Sequence, residues 1–387
     1  MSFVETPFGE LYAEPSRNGI YKPKEFHGSG YKIVNMGELF GYDFIGNQDM
    51  KRVALTDAEI EKNYLSDGDL LFGRRSLVES GAGKCSLVVN PNEKLVCESS
   101  IIRVRLNKDK VEPKFYYYYF LSPKGRARIG SIVTGTNVKG IRGSELQKLN
   151  VLLPPIHTQQ KIASILSAYD ELIGNNLKRI TLLEKSARML YEEWFVCLRF
   201  PGNEHIRIVE GVPEGWEKKF VSELLSKNPN TKKIPKNDYL DKGKVPCVDQ
   251  SSEFIGGYTD DEEAKITSPL PVIIFGDHTR VLKYINFPFA RGADGTQILY
   301  PNDEKISTVF FYYALLASDI SNYFYARHFK FLKAQEVLIP SKSILDAFTS
   351  FAFPKMELIK SLRDQNQKLK QARDILLPKL INGEIPV

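Results

Sequence analysis

Apolar residues along this chain follow two different spacings, and the change from one to the other divides it into alternating blocks. Residues 158–195 contain no proline and one glycine, and Ile162, Leu166, Tyr169, Ile173, Asn176, Ile180, Leu183, Ala187 and Leu190 step by alternating four and three. A 3.5-residue period keeps one stripe facing a partner helix over many turns, so this block predicts a coiled-coil helix. Leu358, Leu362, Gln365, Leu369, Ala372 and Leu376 repeat the alternation near the other end. Thr158 is expected to cap the first helix, and Pro378 with Gly383 to close the second. Asn176 and Gln365 put polar groups on otherwise apolar seams, which costs stability and excludes wrong registers. At 1.5 Å per residue a helix of ~38 residues runs nearly 60 Å, longer than a small domain needs. The two seams are therefore expected to pack on each other as an antiparallel pair, rather than each on its own globular domain.

The remaining blocks are rich in short β-type runs, such as residues 84–89, 100–106 and 271–275, separated by Gly, Pro, Asn and Asp. Each block also holds an aromatic segment, Phe115 to Phe120 and Val309 to Tyr313, read as a helix following a strand. Small α+β domains result. Pro201-Gly202 and the segment from Gly211 to Trp216 mark a boundary after the first helix.

The two halves also repeat one another. Leu146 to Pro154 (LQKLNVLLP) matches Leu332 to Pro340 (LKAQEVLIP), an offset of about 186 residues. Glu171-Leu172-Ile173 matches Glu357-Leu358-Ile359, and Lys185 to Arg188 matches Lys370 to Arg373, at essentially the same offset. Leu70-Leu71-Phe72-Gly73 and Ile273-Ile274-Phe275-Gly276 recur at a somewhat larger one. Four matches in the same order indicate duplication. The expected fold is α+β: two pseudo-twofold-related globular domains, residues 1–152 and 201–340, separated by a long antiparallel two-helix coiled coil from residues 153–200 and 341–387.

Composition narrows the function. A chain of 387 residues exceeds what one core usually organises, so two globular units are expected. The 53 Lys and Arg outweigh 47 Asp and Glu, a net charge of +6 that suits nucleic acid when clustered locally. Cys85, Cys97, Cys197 and Cys247 form no CxxC or Cys/His pairing, which suggests neither zinc nor a disulfide framework. The opening MSFVETPFGE lacks a basic region followed by an apolar run, and no stretch reaches the roughly 18 apolar residues of a membrane span. A cytoplasmic protein without membrane partners is expected.

The stretch from Leu153 to Ala163, Leu-Pro-Pro-Ile-His-Thr-Gln-Gln-Lys-Ile-Ala, resembles the LPPLxEQxxIA opening of the first central helix in Type I restriction-modification specificity subunits, with Thr158 as a departure. Leu376 to Ile385 is similar to the tail of their second helix, and Gly68 to Phe72 and Ile274 to Arg280 resemble segments of their target-recognition domains. The resemblance covers the whole chain in the order globular, helical, globular, helical. It implies a chain with no catalysis and no cofactor of its own, whose two domains each read one half of a split site in double-stranded DNA. The helices would act as a ruler about which methyltransferase subunits, two of them, clamp, with restriction subunits as further partners.

In that setting, Lys and Arg on phosphates supply affinity, and Arg, Asn, Gln and Ser at base edges supply specificity. The candidates lie in Gly-rich loops. In the first domain they are Arg74, Arg75, Ser76, Lys84, Asn137, Lys139 and Arg142, and in the second His278, Thr279, Arg280, Arg291, Gln297, Arg327, His328 and Lys330. Most exposed Lys and Arg are simply solvated surface, and many Gly-rich loops are plain turns.

Enzymatic readings fare less well. Ser80 to Cys85 resembles a phosphate-binding loop, but that pattern needs Gly where Val78 stands and Ser or Thr where Cys85 stands. Asp277-His278 could be read as catalytic, and Asp261, Glu263 and Lys265 faintly as a nuclease set, but without a third acidic group an acidic surface turn is the better reading. No strand leads into a GxGxxG-like loop, so a nucleotide or methyl-donor site lacks support. The competing non-enzymatic reading is a coiled-coil interaction scaffold without DNA specificity.

Overall fold

The computed structural model describes residues 3–77, 81–226, 231–293, 295–320 and 327–387. Val78 and Ser80 of the phosphate-loop comparison lie outside them. The chain forms two compact units, Met1–Gly174 with Gln367–Val387, and Asn175–Asn366. No helix among the described residues is long and apolar enough to cross a membrane.

In the first unit, Val4–Pro7 pairs antiparallel with Asn150–Leu153, so the two ends of the globular part are stitched together. Between them lies a five-stranded sheet in the order Arg17–Asn18, Ile101–Val104, Leu70–Gly73, Cys85–Val88, Phe44–Ile45. A three-stranded sheet runs Arg52–Val53, His27–Val34, Leu95–Cys97. Side chains alternate across a strand, and the central strand uses both faces: Leu70 and Phe72 enter one core, Leu71 another with Val34 and Leu95. The helix Pro113–Leu121 lies against the first face. Its run from Phe115 to Phe120 is entirely buried, as expected of a helix that is apolar all round.

The second unit repeats this plan. Glu217–Phe220 pairs antiparallel with Glu336–Ile339. Val272–Gly276 is flanked by Leu282–Ile285 and Thr296–Leu299, and Val245–Val248 lies parallel to Phe289–Gly292 as His27–Val34 lies parallel to Leu95–Cys97. Thr308–Ala317 is the buried aromatic helix. The duplication read in the sequence is thus a duplication of topology.

The long helices are Ile156–Tyr191 and Lys342–Ile381. Thr158 does not cap the first, which starts two residues earlier. The Thr158 and Gln159 amides donate to the Pro155 carbonyl at 2.9 and 3.1 Å, and the fully buried Gln159 side chain joins the Pro154 carbonyl to the Glu112 amide. Pro378 does not close the second helix either. The helix continues through it to Ile381, and Gly383, at φ +71°, follows in the left-handed region that glycine tolerates.

The helices lie against each other within each unit. In the first unit Ile162 and Leu166 share a core with Leu377 and Leu380, and in the second Ile180 joins Met356, Ile359 and Leu362. Tyr169, Ile173 and Leu183 are half-buried, and Asn176 is buried. On the second helix the expected stripe is displaced by one residue. Leu358 is 38% exposed and Gln365 is exposed, whereas Ile359 is buried and the Asn366 side-chain oxygen accepts from the Asn176 amide across the seam at 2.9 Å. Leu362 is buried, and Leu369 and Leu376 are half-buried. Register here is set by polar partners, which a pattern of leucines alone does not reveal.

Those partners differ between the units. In the first, Asp170 receives Arg373 at 2.5 Å and the Tyr118 hydroxyl at 2.5 Å, with both charged side chains 9% exposed. Burial opposes the Arg373 charge, but its hydrogen bonds to Asp374 and Asp170 and the attraction of their charges outweigh it and hold the guanidinium protonated. In the second unit Tyr313 takes the place of Tyr118, its hydroxyl meeting the sulfur of Met356 at 3.7 Å; at the 186-residue offset that pairs Ile173 with Ile359, Met356 stands for Asp170 and the buried Ala187, the neighbour of Arg188, for Arg373.

Removing one member of a buried ion pair strands the other. Arg373→Ala should therefore lower the stability of the first unit by ~3–5 kcal/mol. The double change Asp170→Met with Arg373→Ala, which copies the second unit, should restore most of it. Amide hydrogen exchange in Pro113–Leu121 measures both, and a double variant as weakened as the single one would show that the stranded carboxylate is not the cause.

Candidate nucleic-acid interface

In the first unit, six of the seven candidate residues come together at one loop pair. Arg75–Ser76 and Lys139–Gly140 form a short antiparallel ladder, Lys139 opposite Ser76 and Gly140 opposite Arg75. The Arg74 carbonyl accepts the Ile141 amide at 3.0 Å, and Thr134 and Gly140 exchange backbone hydrogen bonds at 2.9 and 2.8 Å. The turn between them needs glycine at 135, where φ is +104° and a Cβ would sit 2.2 Å from the Val138 carbonyl. Arg75, Asn137 and Arg142 are exposed around it, and Arg74, Ser76 and Lys139 are half-buried. Leu77 beside them is 84% exposed.

Lys84 is not among them. Its ammonium donates to the Phe40 carbonyl at 2.6 Å and lies 5.9 Å from the centre of that ring. Arg126, which the sequence did not single out, braces this segment by donating to the Gly83 and Ala82 carbonyls at 3.0 and 3.3 Å.

In the second unit the equivalent turn after Val272–Gly276 carries His278, Thr279 and Arg280, all exposed. Arg280 has φ +62° and its guanidinium donates to the Ile320 carbonyl at 3.3 Å. Asp277 is the organiser. Its amide donates to Gly295 at 2.7 Å, its carbonyl accepts His328 at 2.9 Å, and its carboxylate accepts the Phe329 amide at 2.7 Å. The Asp277 carboxylate thus serves backbone geometry, which removes the basis for a catalytic Asp277-His278 pair. Through it the exposed Arg327 and Lys330 are brought beside His278 and Thr279. His328 is buried, and its Nδ1 has no hydrogen-bond partner among the described residues.

Two candidates of the second unit sit elsewhere. Arg291 is 8% exposed on Phe289–Gly292, and its guanidinium is spent on the Thr296 carbonyl, at 2.9 Å from Nε. Burial pushes its pKa down. Arg291 is therefore a correction: it is a brace inside the unit rather than a surface contact. Gln297 is half-buried on Thr296–Leu299.

The faint nuclease set dissolves into local pairing. Asp261 holds Lys232 at 2.6 Å and caps the Glu263 amide at 3.1 Å, while Lys265 reaches Glu262 at 3.5 Å. Among the described residues no three His, Cys, Asp or Glu side chains gather as a metal site would require. What sequence reading missed is a set of residues on the loops bordering the turn at 276–280: Lys236, Asn237, Tyr239, Gln250 and Ser251. They come from separate segments and carry no motif.

The model of the Type I restriction modification DNA specificity domain matches residues 19–185. Over the full length of the chain, the sequence is 25% identical to the Type I restriction enzyme MjaIX specificity subunit of Methanocaldococcus jannaschii, covering 96% of that protein. It is 29% identical to the EcoKI specificity subunit of Escherichia coli K12 over 44% of this chain and 38% of that protein. The crystal structure of a Type I restriction-modification S subunit from M. genitalium has the same fold, with a TM-score of 0.58 at 19% identity, covering 98% of this chain and 96% of that one. A duplicated fold with a loop-borne surface in each unit, and relatives that align from end to end, make the chain similar over its whole length to the specificity subunits of Type I restriction-modification systems.

Proposed function

We propose that this chain recognises DNA for a Type I restriction-modification complex, each unit reading one half of a split site. The observation that carries this reading is the single plan written twice, with exposed cationic side chains gathered on the equivalent turn of each unit, Arg75 and Arg142 in one and Arg280, Arg327 and Lys330 in the other. Two similar reading surfaces on one chain suit two half-sites, whose separation in duplex DNA is naturally about one helical turn, 34 to 36 Å. In this reading the paired helices set the spacer and dock methyltransferase subunits, two of them. Methylation and cleavage belong to those partners and to restriction subunits, and the chain itself carries no catalytic group and no cofactor. Filter binding of the chain, purified with its methyltransferase, tests the proposal: retention of a split-site duplex with steep salt dependence supports it, and retention indifferent to sequence, or with no salt slope, leaves a protein scaffold instead.

Individual residues separate further. Arg75→Ala, Arg142→Ala or Arg327→Ala should each reduce the salt slope by about one and weaken binding to all sequences alike if the side chain meets phosphate. Arg291→Ala should instead lower the unfolding free energy by roughly 1–3 kcal/mol, because it orphans a buried carbonyl, and leave the slope unchanged. Equal salt slopes for the wild type and all three exposed variants would remove these residues from the interface.

Seven residues inserted into each long helix add two turns, roughly 10 Å, or about three base pairs of duplex. The methylated motif should then keep both half-sites and gain a longer spacer. A change in the bases read, with the spacer constant, would contradict a ruler.

A further inference from the structure

Beside the turn at 276–280 the second unit holds a polar cleft of about 560 Å³, lined among others by Asn237, Tyr239, Asp249, Gln250, Ser251 and Thr279. At its base lies the Asp249 carboxylate, 6% exposed. One oxygen, Oδ1, is fully used by the Ser251 amide at 2.9 Å and the Ser251 hydroxyl at 2.5 Å. The other, Oδ2, receives among the described residues only the Tyr239 hydroxyl at a long 3.4 Å, which leaves acceptor capacity on a residue that lines the cleft. Burial works against charge on Asp249, but the Ser251 hydrogen bonds and the nearby Lys283 ammonium outweigh it and hold the carboxyl below its ordinary range. Lys283 also donates to the Asp249 carbonyl at 2.8 Å, so the group is fixed from below. The Gln250 amide is pinned in the same way, its oxygen accepting the His278 amide at 3.1 Å and its carbonyl accepting the Thr279 hydroxyl at 2.6 Å. The seating of Asp249 and Tyr239 requires two neighbours without side chains: a Cβ at Gly292 would lie 2.4 Å from the Tyr239 hydroxyl, and one at Gly256 2.9 Å from Asp249 Oδ2.

A rigid acceptor selects the group that meets it by hydrogen-bond sign. The exocyclic amino groups of adenine and cytosine donate to such an oxygen, while the keto oxygens of guanine and thymine repel it. Resting on the DNA-recognition reading above, we propose that this cleft is a base-reading centre of the second unit, and that it selects an amino-bearing base through Asp249, with Asn237 at its mouth. The first unit lacks the same device. There Asn35 follows the strand His27–Val34 as Asp249 follows Val245–Val248, and its groups are taken up by a helix start: its amide donates to Glu38 at 2.8 Å and its side chain to the Ile33 carbonyl at 3.2 Å. The two units therefore read their half-sites with different chemistry.

The test is a methylation map of cells carrying the full chain with its methyltransferase. The wild type should mark a split motif with a specified base pair at each half, one of them read through its amino group by Asp249. Asp249→Asn, which turns an acceptor into a donor at constant volume, should relax the preference at that position by roughly tenfold and leave the other half intact. Asn237→Ala, at an exposed site, should relax the same half without disturbing the fold. A wild-type motif read unchanged by both variants overturns the proposal, and so does uniform loss at every site by a variant that melts like the wild type. If Asp249→Asn fails to fold, Asn237→Ala decides alone, an unchanged motif overturning the assignment. A wild type that directs no methylation at any split motif overturns the DNA-recognition reading itself.

Discussion

Two amide side chains, Asn176 and Asn366, meet at 2.9 Å among apolar contacts between the long helices, and with the Arg363–Glu184 ion pair at 2.9 Å they fix how the helices register in the second unit. Apolar contacts alone tolerate slippage, because one aliphatic knob fits many aliphatic holes. A slip that parted the amides would bury them against hydrocarbon at about 1–3 kcal/mol for each unsatisfied group. In the first unit the Asp170–Arg373 pair has the same effect at higher stakes, since both partners are charged and buried. Register then dictates everything attached to the helices. With it set, Leu377 and Leu380 enter the core of the buried aromatic helix, and Met356 and Ile359 enter the core of its counterpart.

Duplication has preserved topology while replacing the chemistry at equivalent places. A tyrosine on the buried helix meets a long-helix side chain in both units, but the contact is Tyr118 with Asp170 in one and Tyr313 with Met356 in the other. Either solution fills the same volume and satisfies the hydroxyl, one by charge and one by a soft thioether. The closing strand pairs and the aromatic helices demand only alternation and apolar bulk, so they persist through such exchanges. The loops demand much less of their side chains and have diverged further: two residues after the matched Phe-Gly the first unit carries Arg75 and the second carries His278.

Period, bulk and repetition were legible in the sequence because each is a property of many residues at once. The aromatic runs from Phe115 and from Val309 are helices packed on strands, and the repeated LQKLNVLLP and LKAQEVLIP segments end in the strands that close each unit. Features depending on one contact were not. A stripe of leucines puts Leu358 and Gln365 on the second seam, where Ile359 and Asn366 stand, while Leu362 and Leu369 keep their places; the repeat, which equates Ile173 with Ile359, carries the observed register. Thr158 and Pro378 have the residue types of helix ends, but the first turn is closed by Pro155 and the last turn runs past its proline. Arg291 looks like a surface arginine beside glycines until its acceptor, the Thr296 carbonyl, is known. The cleft around Asp249 was illegible for a further reason, since its walls come from segments that meet only in the folded chain.

The anchoring of the loops explains why recognition and stability can reside in different residues. In the first unit Arg126 holds the Gly83 and Ala82 carbonyls and Thr134 holds Gly140, so the loop is fixed by buried donors and backbone. In the second, Asp277 ties Gly295, His328 and Phe329 together from beneath. The side chains at the tips, among them Arg75, Asn137, His278 and Arg327, are exposed and lie outside these anchoring bonds. Removing an anchor orphans a buried polar group and costs stability, whereas exchanging a tip changes only what the surface offers to a ligand. A loop held by its backbone can therefore present new side chains on an unchanged frame. The Asp249 cleft is the exception: its reading group is also held by Ser251 and Lys283, so changing what it reads also disturbs what holds it.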